Sequence, residues 1–259
     1  MKYIRYISSN NEYVGVLEDN LIYRLSYNNI FEAIEDEEKI KSELNQCKQD
    51  LLSDVTILPP TNASKVICIG LNYKDHAKEL KMELPKEPLL FMKPSTSIIA
   101  SNDEIVYPKC TNKLDYEGEL AIVILSQTNK DNNKETSFAF SIINDVTARD
   151  LQEHDGQWTR AKSFDTFCPV GPVISTNIDY NNLEITTKVN NKIRQNSNTN
   201  NMIFSPPELV KYISNIMTLK QGDLIATGTP PGVGQLNRGD TVTITIEEIG
   251  TLKNTVRGE

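Results

Sequence analysis

Hydrophobic positions along the chain fall mostly into short runs separated by polar turns, the spacing of strands rather than long helices. Such runs occupy Lys65–Leu71, Ser97–Ser101, Glu119–Leu125, Phe138–Asp145, Phe167–Ser175, Asp223–Gly228 and Thr241–Ile249. Two more, MKYIRYI and EYVGVLEDNLIYRL, open the chain around turns at Ser8–Asn11 and Glu18–Asn20. A polar stretch from Ile30 to Leu52, rich in Glu and Lys, reads as helical. Pro59 and Pro60 in Ile57–Thr61 end any element and stiffen a connection there. The organisation expected is therefore a small amino-terminal domain over residues 1–56 and a larger domain over 57–259. In SPPELVKYISNIM, Ser205 and Glu208 form a capping box and Pro206 suits the first helical position. Leu209, Ile213, Ile216 and Met217 supply that helix with an apolar stripe. Thr128–Thr136 and Asn196–Asn201 read as polar loops. Many strands and few helices predict a mainly β (α+β) core of sandwich or roll type.

One strand breaks the usual alternation. In LDYEGELAIVI, Asp115, Glu117 and Glu119 are two residues apart and would share a face, yet the run that follows is apolar on both faces. Two carboxylates 4 Å apart repel by about 4 kcal/mol at an effective dielectric of about 20. Burial also costs each ion several kcal/mol of hydration, so protonation, a basic partner or a metal ion must offset it. All-oxygen ligation would favour a hard ion such as magnesium, manganese or calcium. Asp145 ends another apolar run, a place for a turn, a cap or a ligand. Arg149 and Gln152 follow with helical i, i+3 spacing, as do His76 and Glu79 in GLNYKDHAKELKM. A carboxylate beside an imidazole orients it and raises its basicity, as a general base requires. The chain has only one other histidine, His154, in a polar loop-like setting. Pro85 and Pro88 stop the His76 helix early, leaving a segment to about Leu89 as a candidate lid. Arg160 and Lys162 would share a strand face in WTRAKSFDTFCPVG. Gly228, Gly232 and Gly234 suggest a tight loop around Thr229, and it is not a P-loop.

Composition removes several function classes. With 27 basic against 35 acidic residues the net charge is −8, and no basic block suggests nucleic acid. Cys47, Cys68, Cys110 and Cys168 form no CxxC pair, which argues against a zinc or disulfide framework and for a reducing compartment. No apolar run approaches 18 residues, so neither a membrane span nor a signal peptide is expected, and the cytoplasm is.

In order and wording, ICIGLNYKDHAKEL, FMKPSTSII, LDYEGELAIVI, INDVTARDLQ, WTRAKSFDTFCPVGPVI, MIFSPPELVKYIS and GDLIATGTPPGVG resemble the fumarylacetoacetate hydrolase family across residues 60–259. The resemblance implies a mixed β-sandwich roll with a small α/β amino-terminal extension, a homodimer and a divalent metal, magnesium or manganese with calcium as a substitute. It places metal ligands at Glu117, Glu119 and Asp145, catalytic groups at His76, Glu79 and Lys162, and substrate contacts at Arg149, Gln152 and Thr229. Asp115 has no role in that pattern and is expected to be solvated or to lie behind the ligands. The compact loop before His76 resembles the short acylpyruvase branch. That implies hydrolysis of a C–C bond in an acylpyruvate-like 2,4-diketo acid, a small 2-oxo acid being the partner. Isomerisation or decarboxylation of related diacids passes through the same enolate and stays open, as does a non-catalytic organic-acid binder.

Overall fold

The computed structural model describes residues 1–132 and 136–259. Residues 133–135 of the expected Thr128–Thr136 loop lie outside the described residues. A large mixed sheet forms the body. From one edge its strands run Gln49–Leu51, Leu21–Arg24, Asn11–Glu18, Lys2–Ser8, Cys168–Ser175, Phe138–Asn144, Gly118–Ile124, Leu224–Ala226, Val66–Gly70 and Leu89–Lys93. A second sheet of five strands stacks Lys192–Asn198, Glu184–Val189, Thr241–Ile246, Gly250–Gly258 and Glu104–Tyr107. A small third sheet joins Thr147–Ala148, Leu114–Tyr116 and Gly234–Leu236. The fold is mainly β, of the mixed type expected.

The unbroken hydrocarbon of Gly118–Ile124 follows from its place in the middle. Leu120, Ile122 and Ile124 share a buried cluster with Ile185, Ile244 and Leu252 of the five-stranded sheet. Ala121 and Val123, on the opposite face, pack in another with Val14, Val16, Ile30 and Ile40 of the amino-terminal region. Both faces are thus dry, with the smaller side chains, Ala121 and Val123, on the amino-terminal side. Gly118 makes the approach possible, since a Cβ there would lie 2.3 Å from Thr187 Oγ1 in the second sheet.

The amino-terminal strand Lys2–Ser8 pairs with Cys168–Ser175, placing Tyr3 opposite Ile174, so the first residues extend the same sheet. The stretch Ile30–Leu52 is not one helix. It divides into Ile30–Glu35 and Glu37–Glu43 at Asp36, and Gln49–Leu51 becomes an edge strand against Leu21–Tyr23. Pairing across sequence overrides a weak local preference there. The helix Pro206–Ser214 carries the expected capping box and buries Leu209 and Ile213. It ends before Ile216, which is 55% exposed, so that residue is not part of the stripe. Among the described residues no helix is long and apolar enough to cross a membrane.

Candidate active site and metal centre

Glu117 lies in the break between Leu114–Tyr116 and Gly118–Ile124, and the backbone of Asp145 donates to its carbonyl at 2.9 Å. Asp145 follows the last residue of Phe138–Asn144, whose Asn144 pairs with Gly118. This register brings ligand atoms of Glu117, Glu119 and Asp145 within 4.8 Å of one another, all three residues buried. Lys162 bridges two of them, Nζ lying 2.8 Å from Glu117 Oε2 and 2.6 Å from Asp145 Oδ2. Lys93 donates to Asp145 Oδ1 at 2.5 Å and to the Val146 carbonyl at 2.9 Å. Arg149 donates from Nε to Asp115 at 2.8 Å, from Nη2 to Glu117, and from Nη1 to Gln152 at 2.5 Å.

Burial opposes ionisation of Glu117, but Lys162 and Arg149 outweigh it and hold its pKa down at about 2. Glu119 is different. It is 2% exposed, and among the described residues its hydrogen bond is one amide, Gly228 N at 2.7 Å. Burial, with Asp145 and Glu117 adding repulsion, pushes its pKa well above the carboxylate range. Gly228 can face it because φ is +96° and a Cβ would lie 2.8 Å from Asn72 Cβ. A cluster of oxygen donors with one member short of positive charge fits a divalent cation of the hard class.

Across the cleft, the helix Lys74–Leu80 carries His76, whose Nδ1 lies 2.9 Å from Glu79 Oε2. The Gly232 amide donates to Glu79 Oε1 at 3.2 Å, tying the pair to the Pro/Gly loop. Asp75 Oδ2 accepts from Ser197 at 2.6 Å, and buried Asn72 bonds Thr227 and Phe204, so the start of the segment is anchored as well. His76, Glu117, Glu119, Arg149, Gln152, Lys162 and Thr229 line one cavity of about 240 Å³.

The model for the fumarylacetoacetate (FAA) hydrolase C-terminal region matches residues 65–257. The chain belongs to the fumarylacetoacetate hydrolase family. A mitochondrial oxaloacetate tautomerase of Rattus norvegicus is 43% identical over 220 residues, covering 79% of this chain and 70% of that protein. The crystal structure of 2-hydroxyhepta-2,4-diene-1,7-dioate isomerase from Mycobacterium marinum is 38% identical, with a TM-score of 0.84 over 100% of this chain and 99% of that one. The maleylpyruvate hydrolase of Sphingobium sp. SYK-6, crystallised with manganese(II) and pyruvate, is 27% identical, with a TM-score of 0.84 over 100% and 99%. Members of this family are thus enzymes of tautomerase, isomerase and hydrolase type.

In this family member every residue expected at the site except Glu79 and Asp145 lines the cleft; Glu79 touches it through His76, and Asp145 lies behind it against Glu117, Glu119 and Lys162. Several local readings change. Lys162 is on the helical turn Thr159–Lys162, not a strand, and Arg160 points away to Asp155 at 2.7 Å. Of the two places expected for Asp115, it takes the one behind the ligands and not the solvated one. It is 4% exposed, it accepts from the Arg149 that also holds Glu117, and burial raises its pKa despite Arg149. His154 lies on the helix Arg149–Asp155, exposed beside Asp155. The Thr229 hydroxyl is committed to the Gly118 carbonyl at 2.9 Å and accepts from Gln195 at 2.8 Å. Sequence reasoning missed Gln195 and Lys93. Gln195 is fully buried and also accepts from Gly118 N at 3.0 Å, clamping the ligand strand to the Thr229 loop. Lys93, alone among LLFMKP, was detectable only as a charge ending an apolar strand.

Proposed function

We propose that the chain is a divalent-metal-dependent enzyme of 2-oxo acids that hydrolyses a C–C bond in an acylpyruvate-like 2,4-diketo acid. The observation carrying this reading is the meeting, in one cleft, of the Glu117–Glu119–Asp145 cluster with the His76–Glu79 pair. Magnesium or manganese held by the three carboxylates, with calcium as a substitute, would supply Lewis-acid polarisation of the substrate's 2-oxo group. His76, oriented through Nδ1 by Glu79, takes a proton from water, and the hydroxide formed adds to the distal carbonyl. The bond between that carbonyl carbon and C3 then breaks, giving a carboxylic acid and a pyruvate enolate, and His76 returns the proton to C3. Lys162 fixes Glu117 and Asp145 relative to each other and adds positive charge where the enolate oxygen develops. Arg149, Gln152 and Thr229 frame the substrate.

Tautomerisation or isomerisation of a 2-oxo acid is a second reading, favoured by 43% identity with an oxaloacetate tautomerase. There His76 would carry a proton between C3 and the enol oxygen, breaking or forming the C3–H bond while every C–C bond stays intact. Product analysis with manganese, with and without chelator, separates the readings. Two organic acids mean hydrolysis, carbon dioxide means decarboxylation, and unchanged mass means tautomerisation or isomerisation. Turnover of none of these substrates would leave an organic-acid binder.

A further inference from the structure

The two ends of the cleft differ in chemistry. Apart from His76, the cationic residues lining it among the described residues are Arg149 and Lys162, and each is already paired with buried carboxylates. The other end is hydrocarbon. Leu80, Met82 and Leu89 line it while 50%, 56% and 52% exposed, and Trp158 meets Phe91 edge to face at 5.0 Å, the Phe91 ring lying 4.9 Å from Lys162 Nζ where the two ends join. Gly70 backs this wall, where a Cβ would lie 3.1 Å from Leu89 and 3.2 Å from Trp158. Leu80 is the last residue of the His76 helix and Met82 lies two residues beyond it, so the apolar rim stands beside the proton-transfer pair.

A 2-oxo acid anchored at the carboxylates must extend its far substituent along this wall. A second carboxylate there would shed water and gain no cation in return. An alkyl chain would cover Leu, Met and Trp surface that otherwise faces solvent. We propose that this cleft selects 2-oxo acids with an uncharged, apolar distal chain over diacids, and that Leu80, Met82, Leu89 and Trp158 set the preference. The inference rests on the carboxylate cluster anchoring the 2-oxo end, and it holds for hydrolysis and tautomerisation alike.

Calorimetric binding to the manganese-loaded protein tests it without turnover, using 2-oxooctanoate and the diacid 2-oxosuberate. The alkyl acid should bind at least about tenfold tighter, with about a fourfold gain per methylene along a series from 2-oxobutanoate. Equal or tighter binding of the diacid overturns the proposal and leaves the 2-oxo acid reading intact. Binding of manganese but neither acid overturns that reading and the proposal with it. The double variant Met82→Lys/Leu89→Lys changes two half-exposed side chains, so a native-like melting midpoint is the control for folding. It should raise diacid affinity about tenfold relative to the alkyl acid. An unchanged ratio in that folded variant overturns the assignment of the rim.

Discussion

Asp223 and Glu119 are both buried carboxylates, set at opposite ends of the strand Leu224–Ala226, and they are treated in opposite ways. Asp223 accepts from Ser64 N at 3.1 Å, Ser64 Oγ at 2.6 Å and Lys220 N at 2.8 Å, and pairs with Lys65. Burial alone would raise its pKa, yet these partners lower it. Glu119 has one amide, contributed by Gly228 just beyond the strand's other end, and its pKa is raised. The first acid ties the strand to its parallel neighbour Val66–Gly70. The second is left short of positive charge beside two further carboxylates. A fully satisfied buried acid serves the fold, whereas one left wanting marks where a cation can be held.

The largest effect should come from the proton carrier the cation would work with. His76→Ala should lower kcat by about 10³-fold, with manganese affinity measured by calorimetry almost unchanged. Full retained activity would remove His76 from the chemistry. Glu119→Gln should weaken manganese binding at least about 100-fold without lowering the stability of the metal-free protein, because it removes an uncompensated buried acid. A fall in metal-free stability would erase the contrast with Asp223. Gly118→Ala forces a Cβ onto Thr187 Oγ1, and should cost about 2 kcal/mol in urea unfolding and weaken metal binding. Adding Thr187→Ala should recover part of both.

Asp223→Asn should cost about 2 kcal/mol with no change in metal affinity, the mirror of Glu119→Gln. The smallest effect is in pH. Asp223, with its folded pKa lowered, contributes stability that is complete above the unfolded value of about 3.9 and is lost as pH falls through the folded one. Glu119, with its folded pKa raised, destabilises the metal-free protein by a penalty that grows as pH rises above the unfolded value of about 4.3 and is complete once pH passes the folded one. Denaturant midpoints of Glu119→Gln against the parent, from pH 5 to 9 without metal, should therefore diverge as pH rises. Parallel profiles would show that Glu119 is not strained.

What the sequence disclosed follows the range of the interactions. The His76–Glu79 and Arg149–Gln152 contacts are single helical turns, so spacing alone revealed them. The capping box at Ser205 and the strand-end position of Asp145 are equally local. Lys93 and Asp145 are 52 residues apart, and Gln195 meets Gly118 across 77, so no periodicity connects them. Lys162 was misplaced on a strand because its aromatic neighbours resemble one, while Thr159–Lys162 is held as a helical turn among other elements. The edge strand Gln49–Leu51 escaped notice because only its pairing with Leu21–Tyr23 makes it a strand.

The seam between Tyr3 and Ile174 has a bearing on handling the protein. A chain begun after residue 56 would leave part of Cys168–Ser175 with unsatisfied amides and carbonyls, an invitation to self-association. Any natural shortening or exchange of the leading segment must therefore bring its own ribbon to close that margin, or leave the truncated enzyme prone to precipitate.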